Sequence, residues 1–243
     1  MKKALLMIIV IMVTVSGCGV NVDSKSTTVP KLMEMTVEYP DGSTQKREYI
    51  YVPTASWPAT SCVLYENSVM IGQEDYSYDD RYNTTKIIQH WDGGSTQVFE
   101  LTYGENDLMS SKTVFLNGVE EYTITYTYDA SNQIVEMKEF RDDALFQYTQ
   151  IEYDENGHRQ TQTLFDSTGE ILCYFGYSFN EKESTEIVNE YSADGVLVKY
   201  LINHYNAMGV VAIEEAFNPD DSLISYTTWK YIPQQMAVTV IGY

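Results

Sequence analysis

Paired acids, three histidines, aspartates in turn-like segments and three cysteines are the residues here whose types and spacing could do chemistry. Glu214/Glu215 and Asp142/Asp143 have the composition of a glycosidase carboxylate pair. Such a pair must converge on one sugar, whereas neighbours in a strand point to opposite faces, so both pairs read as solvated charge. His90, His158 and His204 lack a G-x-S-x-G elbow or any comparable partner set, and a Ser-His-Asp site needs one. They read as surface residues. Asp154, Asn156, Asp166, Asp194, Asp220 and Asp221 offer the oxygen ligands that suit Ca²⁺. No EF-hand run accompanies them, and turn capping demands the same residue types. The sequence therefore predicts no cofactor and no metal site, with Ca²⁺ at the Asp-rich turns as the one metal alternative. No catalytic residue is identified, and no enzyme is expected; ligand-binding residues are not identified either. Cys62 and Cys173 form no CxxC or Cys/His cluster. An oxidising compartment would allow them to pair. Cys173, inside a strand pattern, reads as a small buried hydrophobe.

The elements that position these groups follow from a repeat. Aromatics recur at Tyr103, Phe115, Tyr128, Phe140, Tyr153 and Phe165, then at Phe179, Tyr191, Tyr205 and Phe217, spaced 12–14 residues apart. Turn residues follow nearly every one, as in Tyr153-Asp154-Glu155-Asn156-Gly157. Asp and Asn start such turns, and Gly supplies the positive φ that ends them. Each unit is then a strand of about eight residues and a turn of about four, and so short a connection joins antiparallel neighbours. Period-2 patterns agree: Tyr122, Ile124, Tyr126 and Tyr128 share one face, and Thr123, Thr125 and Thr127 the other. The alternation of 12 with 13–14 residues makes the true repeat a hairpin of about 25 residues.

These patterns predict an all-β fold, an antiparallel β-meander of hairpin repeats in one long, curved or partly rolled sheet. About 15 strands and little or no helix are expected. Residues 31–243 form the hairpin-repeat domain, irregular over 31–95 and regular over 96–232. Pro53 to Ser61, with Trp57, reads as an irregular loop. Residues 18–30 are a short polar tether.

At the Tyr-Asp-x-x-Gly units the chain resembles the YD-repeat (Rhs-like) family, best at Tyr153-Asp154-Glu155-Asn156-Gly157. Tyr128-Asp129 with Asn132 and Phe165-Asp166 with Gly169 are partial matches. The resemblance implies stacked β-hairpins in exported proteins, without catalysis in the repeats. At the other end, Lys2 and Lys3 precede an apolar run from Ala4 to Val15, closed by Ser16-Gly17-Cys18. This resembles the lipobox of bacterial lipoproteins. It implies a signal peptide over residues 1–17, export, and diacylglycerol on Cys18. Twelve apolar residues are too few to span a bilayer, which takes roughly 20.

The formal net charge is −20. Losing residues 1–17, which hold two lysines and no acid, would make it −22. Such a chain repels phosphates, so nucleic acid is excluded as a partner. The reading that results is a lipid-anchored cell-envelope protein. It sits on the outer face of the cytoplasmic membrane, or on another envelope membrane, through lipid on Cys18. Its expected role is a noncatalytic binding or interaction scaffold for an envelope protein or polysaccharide. A carrier or chaperone holding an apolar ligand in a concave sheet is the alternative, and a carbohydrate-active enzyme the second alternative.

Overall fold

The computed structural model describes residues 28–51, 59–104 and 106–235. The signal segment, Cys18, the tether up to residue 27 and the loop around Trp57 lie outside the described residues. Sixteen strands run in order. They are β1 (Thr28–Glu38), β2 (Thr44–Tyr51), β3 (Ala59–Glu66), β4 (Val69–Tyr78), β5 (Thr84–Trp91), β6 (Thr96–Tyr103), β7 (Met109–Leu116) and β8 (Val119–Tyr128). The second half holds β9 (Ile134–Arg141), β10 (Ala144–Tyr153), β11 (Arg159–Asp166), β12 (Ile171–Asn180), β13 (Thr185–Ser192), β14 (Leu197–Tyr205), β15 (Val211–Phe217) and β16 (Leu223–Gln235). Among the described residues there is no helix.

The turns explain the hairpins. Asn67-Ser68, Asn117-Gly118 and Asp142-Asp143 all have positive φ at both positions. That is the two-residue turn whose twist matches the flanking strands. The acid pair Asp142/Asp143 is thus a turn, not a strand segment. In the longer turns an Asp or Asn caps its own backbone. Asp129 Oδ1 accepts from the amides of Ser131 and Gln133, each at 2.8 Å, and Asn206 does the same for Met208 and Val210.

Every strand pairs antiparallel with its sequence neighbours, and β1 pairs with β16, so the sheet is a closed barrel. Glu34 to Glu38 of β1 face Lys230 to Tyr226 of β16 on one side and Glu48 to Thr44 of β2 on the other. This corrects the expectation of an open or partly rolled sheet of about 15 strands. The closing pair joins residues nearly 200 positions apart, and no local pattern announces it. What bends the sheet is visible in the ladder. Most hairpins carry a register shift beside an aromatic residue, as at Tyr78, Tyr103, Tyr128 and Tyr153. Each extra residue increases the local coiling of its strand.

Direct cross-strand partners share a face, which separates an inner from an outer wall. Cys62, Leu64, Glu74, Ile87, Gln89 and Val114 all fall on one face, and so does every other buried strand residue. Crowding marks that face as the inside. Cys62 and Cys173 both lie on it but on β3 and β12, and both are free. Cys62 is the fully buried one; Cys173 is half-buried.

Candidate binding site in the barrel interior

Tyrosine dominates the inner wall. Each even-numbered strand ends in an inward aromatic at the rim where β1 begins and β16 ends. Tyr51, Tyr78, Tyr103, Tyr128 and Tyr153 are followed there by Phe179, Tyr205 and Tyr231 (β16 runs on beyond Tyr231). In the first five, the hydroxyl donates to the backbone carbonyl 19 residues earlier. The acceptors are Leu32, Ala59, Thr84, Met109 and Ile134, at 2.6–2.9 Å. Each ring thus ties its own strand to the preceding one, in four of the five cases at that strand's first residue, opposite a bulge in the following one. The 25-residue repeat is this tie, written four times from Tyr78 to Tyr153. Burial pushes the phenols of Tyr51 and Tyr78 up to about 12, so they stay neutral donors.

Charged clusters interrupt the tyrosines. Glu74, 2% exposed, accepts from Gln89 Nε2 at 2.8 Å and Tyr76 Oη at 2.5 Å, with Arg47 NH1 at 3.2 Å. Burial works against the Arg47 charge, but Glu74 and its neighbours more than offset that. Beside them Cys62 is pushed up to about 12, by burial first and then by Glu74, which leaves an unreactive thiol. On β7–β10, Glu139 accepts from Gln147 at 2.7 Å and pairs with Arg141 at 2.7 Å. Burial lowers the Lys112 ammonium in the same wall, with Glu139 acting against it. On β13–β15, Lys199 pairs with Glu190 at 3.0 Å, and burial raises Glu214.

At the terminal rim lies a cavity of about 310 Å³ lined by Asp154, His158, Arg159, Tyr177 and Phe179 among others. The turn sets it up. Asp154 Oδ1 accepts from the amides of Asn156 and His158 at 2.9 and 2.8 Å, and these bonds, the His158 amide first, hold its carboxyl below the usual range. The His158 ring packs 4.9 Å from Phe179, which meets Tyr205 edge-on at 5.8 Å. The Arg159 guanidinium lies over Tyr177 at 5.8 Å, and Tyr177 Oη donates to Gln162 at 3.1 Å. This mouth offers ring faces, a guanidinium and hydrogen-bonding groups together.

The structure separates most residues that the sequence singled out. His158 joins the mouth. His90 and His204 sit on the outer wall beside Asp75 at 3.5 Å and Glu215 at 3.0 Å. Glu214 points inward and Glu215 outward, as expected of strand neighbours. Asp154 and Asn156 share the terminal rim, whereas Asp166, Asp194, Asp220 and Asp221 occupy turns at the opposite one. Asp166 and Asp220 cap their own turns, through Thr168 and Ser222. Among the described residues no group of three or more His, Cys, Asp or Glu is placed to hold a metal. Arg47, Glu74, Lys112, Glu139 and Arg159 escaped the sequence reading. Their signal was a charge in phase with the aromatic face, as in Gly72, Glu74, Tyr76 and Tyr78.

The outer wall differs in kind. Ion pairs cross its middle: Lys46 with Glu34 at 3.0 Å, Lys86 with Glu100 at 3.0 Å, and Lys138 with Glu136 at 2.6 Å. A lipid-facing barrel presents an apolar band there instead.

A family model described as "Uncharacterised protein" matches residues 56–177. No curated protein matches the chain. Among solved structures, that of TcdB2-TccC3-Cdc42 is similar at 14% identity, covering 80% of this chain and 12% of that one, with a TM-score of 0.35. A porin-like protein from Bacteroides uniformis is 8% identical over 85% of this chain and 99% of its own, at 0.32. The Tc holotoxin pore of Photorhabdus luminescens is 12% identical over 76% and 11%, at 0.22. This chain thus spans a small share of the toxin chains, and at these TM-scores none of the likenesses carries weight beside its own geometry.

Proposed function

We propose a function for the family to which this chain belongs, the one matched over residues 56–177: an exported, lipid-anchored barrel that binds without catalysis and holds a glycan strand against its inner wall. The observation that carries this is the inner wall itself, where tyrosine faces alternate with charged and amide side chains. A closed ring of sixteen strands is wider than one layer of side chains fills, and barrels of that size leave room for water. Among the described residues few side chains are fully buried, and the largest of these are Glu74, Val114 and Cys62. Sugars suit such a lining, with C–H faces on the rings and hydroxyls on the amides, carboxylates and guanidinium.

The inward carboxylates support binding rather than hydrolysis. Glu74, Glu139, Glu186 and Glu190 each hold partners in the wall, through Arg47, Arg141, Asn203 and Lys199. Carboxylates already engaged in this way suit binding better than the general-acid and nucleophile or base roles that a retaining or inverting pair requires. A carrier for an apolar ligand is the weaker reading, because this wall carries Arg47, Lys112, Arg141, Arg159, Lys199 and several carboxylates whose desolvation such a ligand would not offset.

Anchoring rests on the Ser16-Gly17-Cys18 segment. The strand that follows it, β1, starts at the terminal rim. Ten residues from Cys18 to Thr28 reach at most ~35 Å, enough to leave that rim clear of a bilayer surface.

Two experiments test the proposal. A glycan array on the purified protein should return binders whose affinity falls about tenfold or more in Tyr126→Ser, an inner-wall change. No binder at all, or binding indifferent to Tyr126, overturns the interior site. Metabolic labelling with a fatty-acid probe should mark the wild type and not Cys18→Ala; equal labelling removes the anchor.

A further inference from the structure

The rim opposite the termini is the surface that the interior reading leaves unexplained. It consists of the eight turns after β1, β3, β5, β7, β9, β11, β13 and β15, all of them among the described residues. Nine of the fourteen exposed large hydrophobic side chains among the described residues lie in or within two residues of these turns, and Phe146 lies three residues from one. Val69 and Val119 are each 64% exposed, Val196 60%, Leu172 46%, and Phe146 and Val198 45%. They occur around the circumference rather than on one side. Several sit at register shifts: Phe146 is the extra residue between Leu145 and Gln147, and its bulge turns it out of the ladder.

The same rim is acidic. Counting each turn with its two flanking residues, Glu38, Asp41, Glu66 and Asp92 belong to the first three turns that carry charge. Asp142, Asp143, Asp166, Glu170, Asp194, Asp220 and Asp221 follow, and Arg141 is the one lysine or arginine among them. Arg141 is already committed. Its guanidinium pairs with Glu139 at 2.7 Å and lies over the Phe146 ring at 3.7 Å. The terminal rim is less one-sided, with Arg81, Arg159 and Lys182 among its described turn residues.

An apolar ring of this extent on a water-exposed protein marks an interaction surface. Its charge selects the occupant. A second copy would bring two rings of carboxylates face to face, and an anionic membrane would add like charge to like. We infer that this rim docks a basic protein, one whose contact surface sets Lys and Arg among apolar side chains. The apolar ring supplies the buried contact, and the carboxylates supply steering and register. This goes beyond the interior site and stands without it.

The test uses the full chain and a defined probe, an amphipathic helical peptide of Leu and Lys, with its Leu/Glu counterpart as control. Fluorescence anisotropy should show binding of the Leu/Lys peptide alone, weakened by salt. Two separate variants should each reduce affinity about tenfold or more, Val119→Ser/Leu172→Ser/Val198→Ser and Asp142→Asn/Asp143→Asn/Asp194→Asn. Tyr82→Ser, an exposed change at the terminal rim (63% exposed), should leave it unchanged. Circular dichroism confirms that each variant folds, and the charge variant carries the test if the apolar one does not. Equal binding of both peptides overturns the proposal, as does equal loss in Tyr82→Ser. Concentration-dependent dimerisation abolished by the apolar variant also overturns it, because the rim would then be a self-interface.

Discussion

The two ends of this barrel use the same residue types in opposite directions. At the terminal rim the repeated aromatics point inward and their hydroxyls fasten neighbouring strands. At the far rim, half a repeat later, Phe165, Tyr191 and Phe217 point outward. They stack on Tyr148, Tyr174 and Tyr200, with ring centroids 4.8–5.1 Å apart. One end therefore closes on itself through directional bonds. The other offers flat rings and exposed aliphatic side chains to its surroundings. A single 25-residue repeat produces both, because an eight-residue strand and its turn bring the aromatic position to the other wall and the other end.

The sharpest way to break this contrast is to remove the hydroxyls from one end. Replacing Tyr78, Tyr103, Tyr128 and Tyr153 by Phe together deletes four hydroxyl–carbonyl bonds at about 0.5–1.5 kcal/mol each. The expected loss is roughly 2–6 kcal/mol if they add, read by urea unfolding. Unchanged stability would show the collar to be incidental. At the far end, Phe165→Ala removes a stacked, half-buried ring and should cost about 2 kcal/mol, whereas Phe165→Tyr should be near neutral. Equal loss in both would mean that something other than stacking holds that end.

Caps sharpen the comparison, since both ends use them. Asp154→Ala at the terminal rim and Asp166→Ala at the far rim should each lower the thermal midpoint by roughly 2–4 °C. The wild type should show the same dependence with pH. Hydrogen bonds hold the Asp154 and Asp166 carboxyls below their ordinary value, the His158 amide and the Thr168 hydroxyl foremost. Their contribution is full above the unfolded pKa near 3.8 and is lost as pH falls through the lower folded value. A midpoint that does not drop on acidification through that window contradicts the capping account. Glu214, on the wall between the rims, acts with the opposite sign. Burial raises its pKa, so the ionised form destabilises the fold at neutral pH and the cost fades as pH falls toward 4.5. Glu214→Gln should raise the midpoint slightly at pH 7 and lose that advantage in acid; a constant increment at every pH would assign the effect to something other than charge.

Much of this was legible because it is local. Tyr128 and the turn that follows it declare a strand end and a capped reversal within five residues. The period-2 run Tyr122–Tyr128 declares which side chains travel together. Glu214 and Glu215 were separable from spacing alone. The inner-wall pairs were not legible in this way. Arg47 and Glu74 are 27 positions apart and meet only because β2, β3 and β4 stand side by side. Asp142 and Asp143 show the reverse error: read as strand residues, they form the turn itself, because both adopt positive φ.

By itself, then, the amino-acid order determined an all-β chain of antiparallel hairpins, with its reversals and the two faces of each ribbon. These follow from side-chain alternation and from the φ preferences of Asp, Asn and Gly, which act over a few residues. Closure, the assignment of one face to an interior, and the gathering of apolar residues at one rim belong to the tertiary structure alone. They depend on small bends and twists accumulated over sixteen strands until β1 meets β16, and that sum has no signature in any short window of sequence.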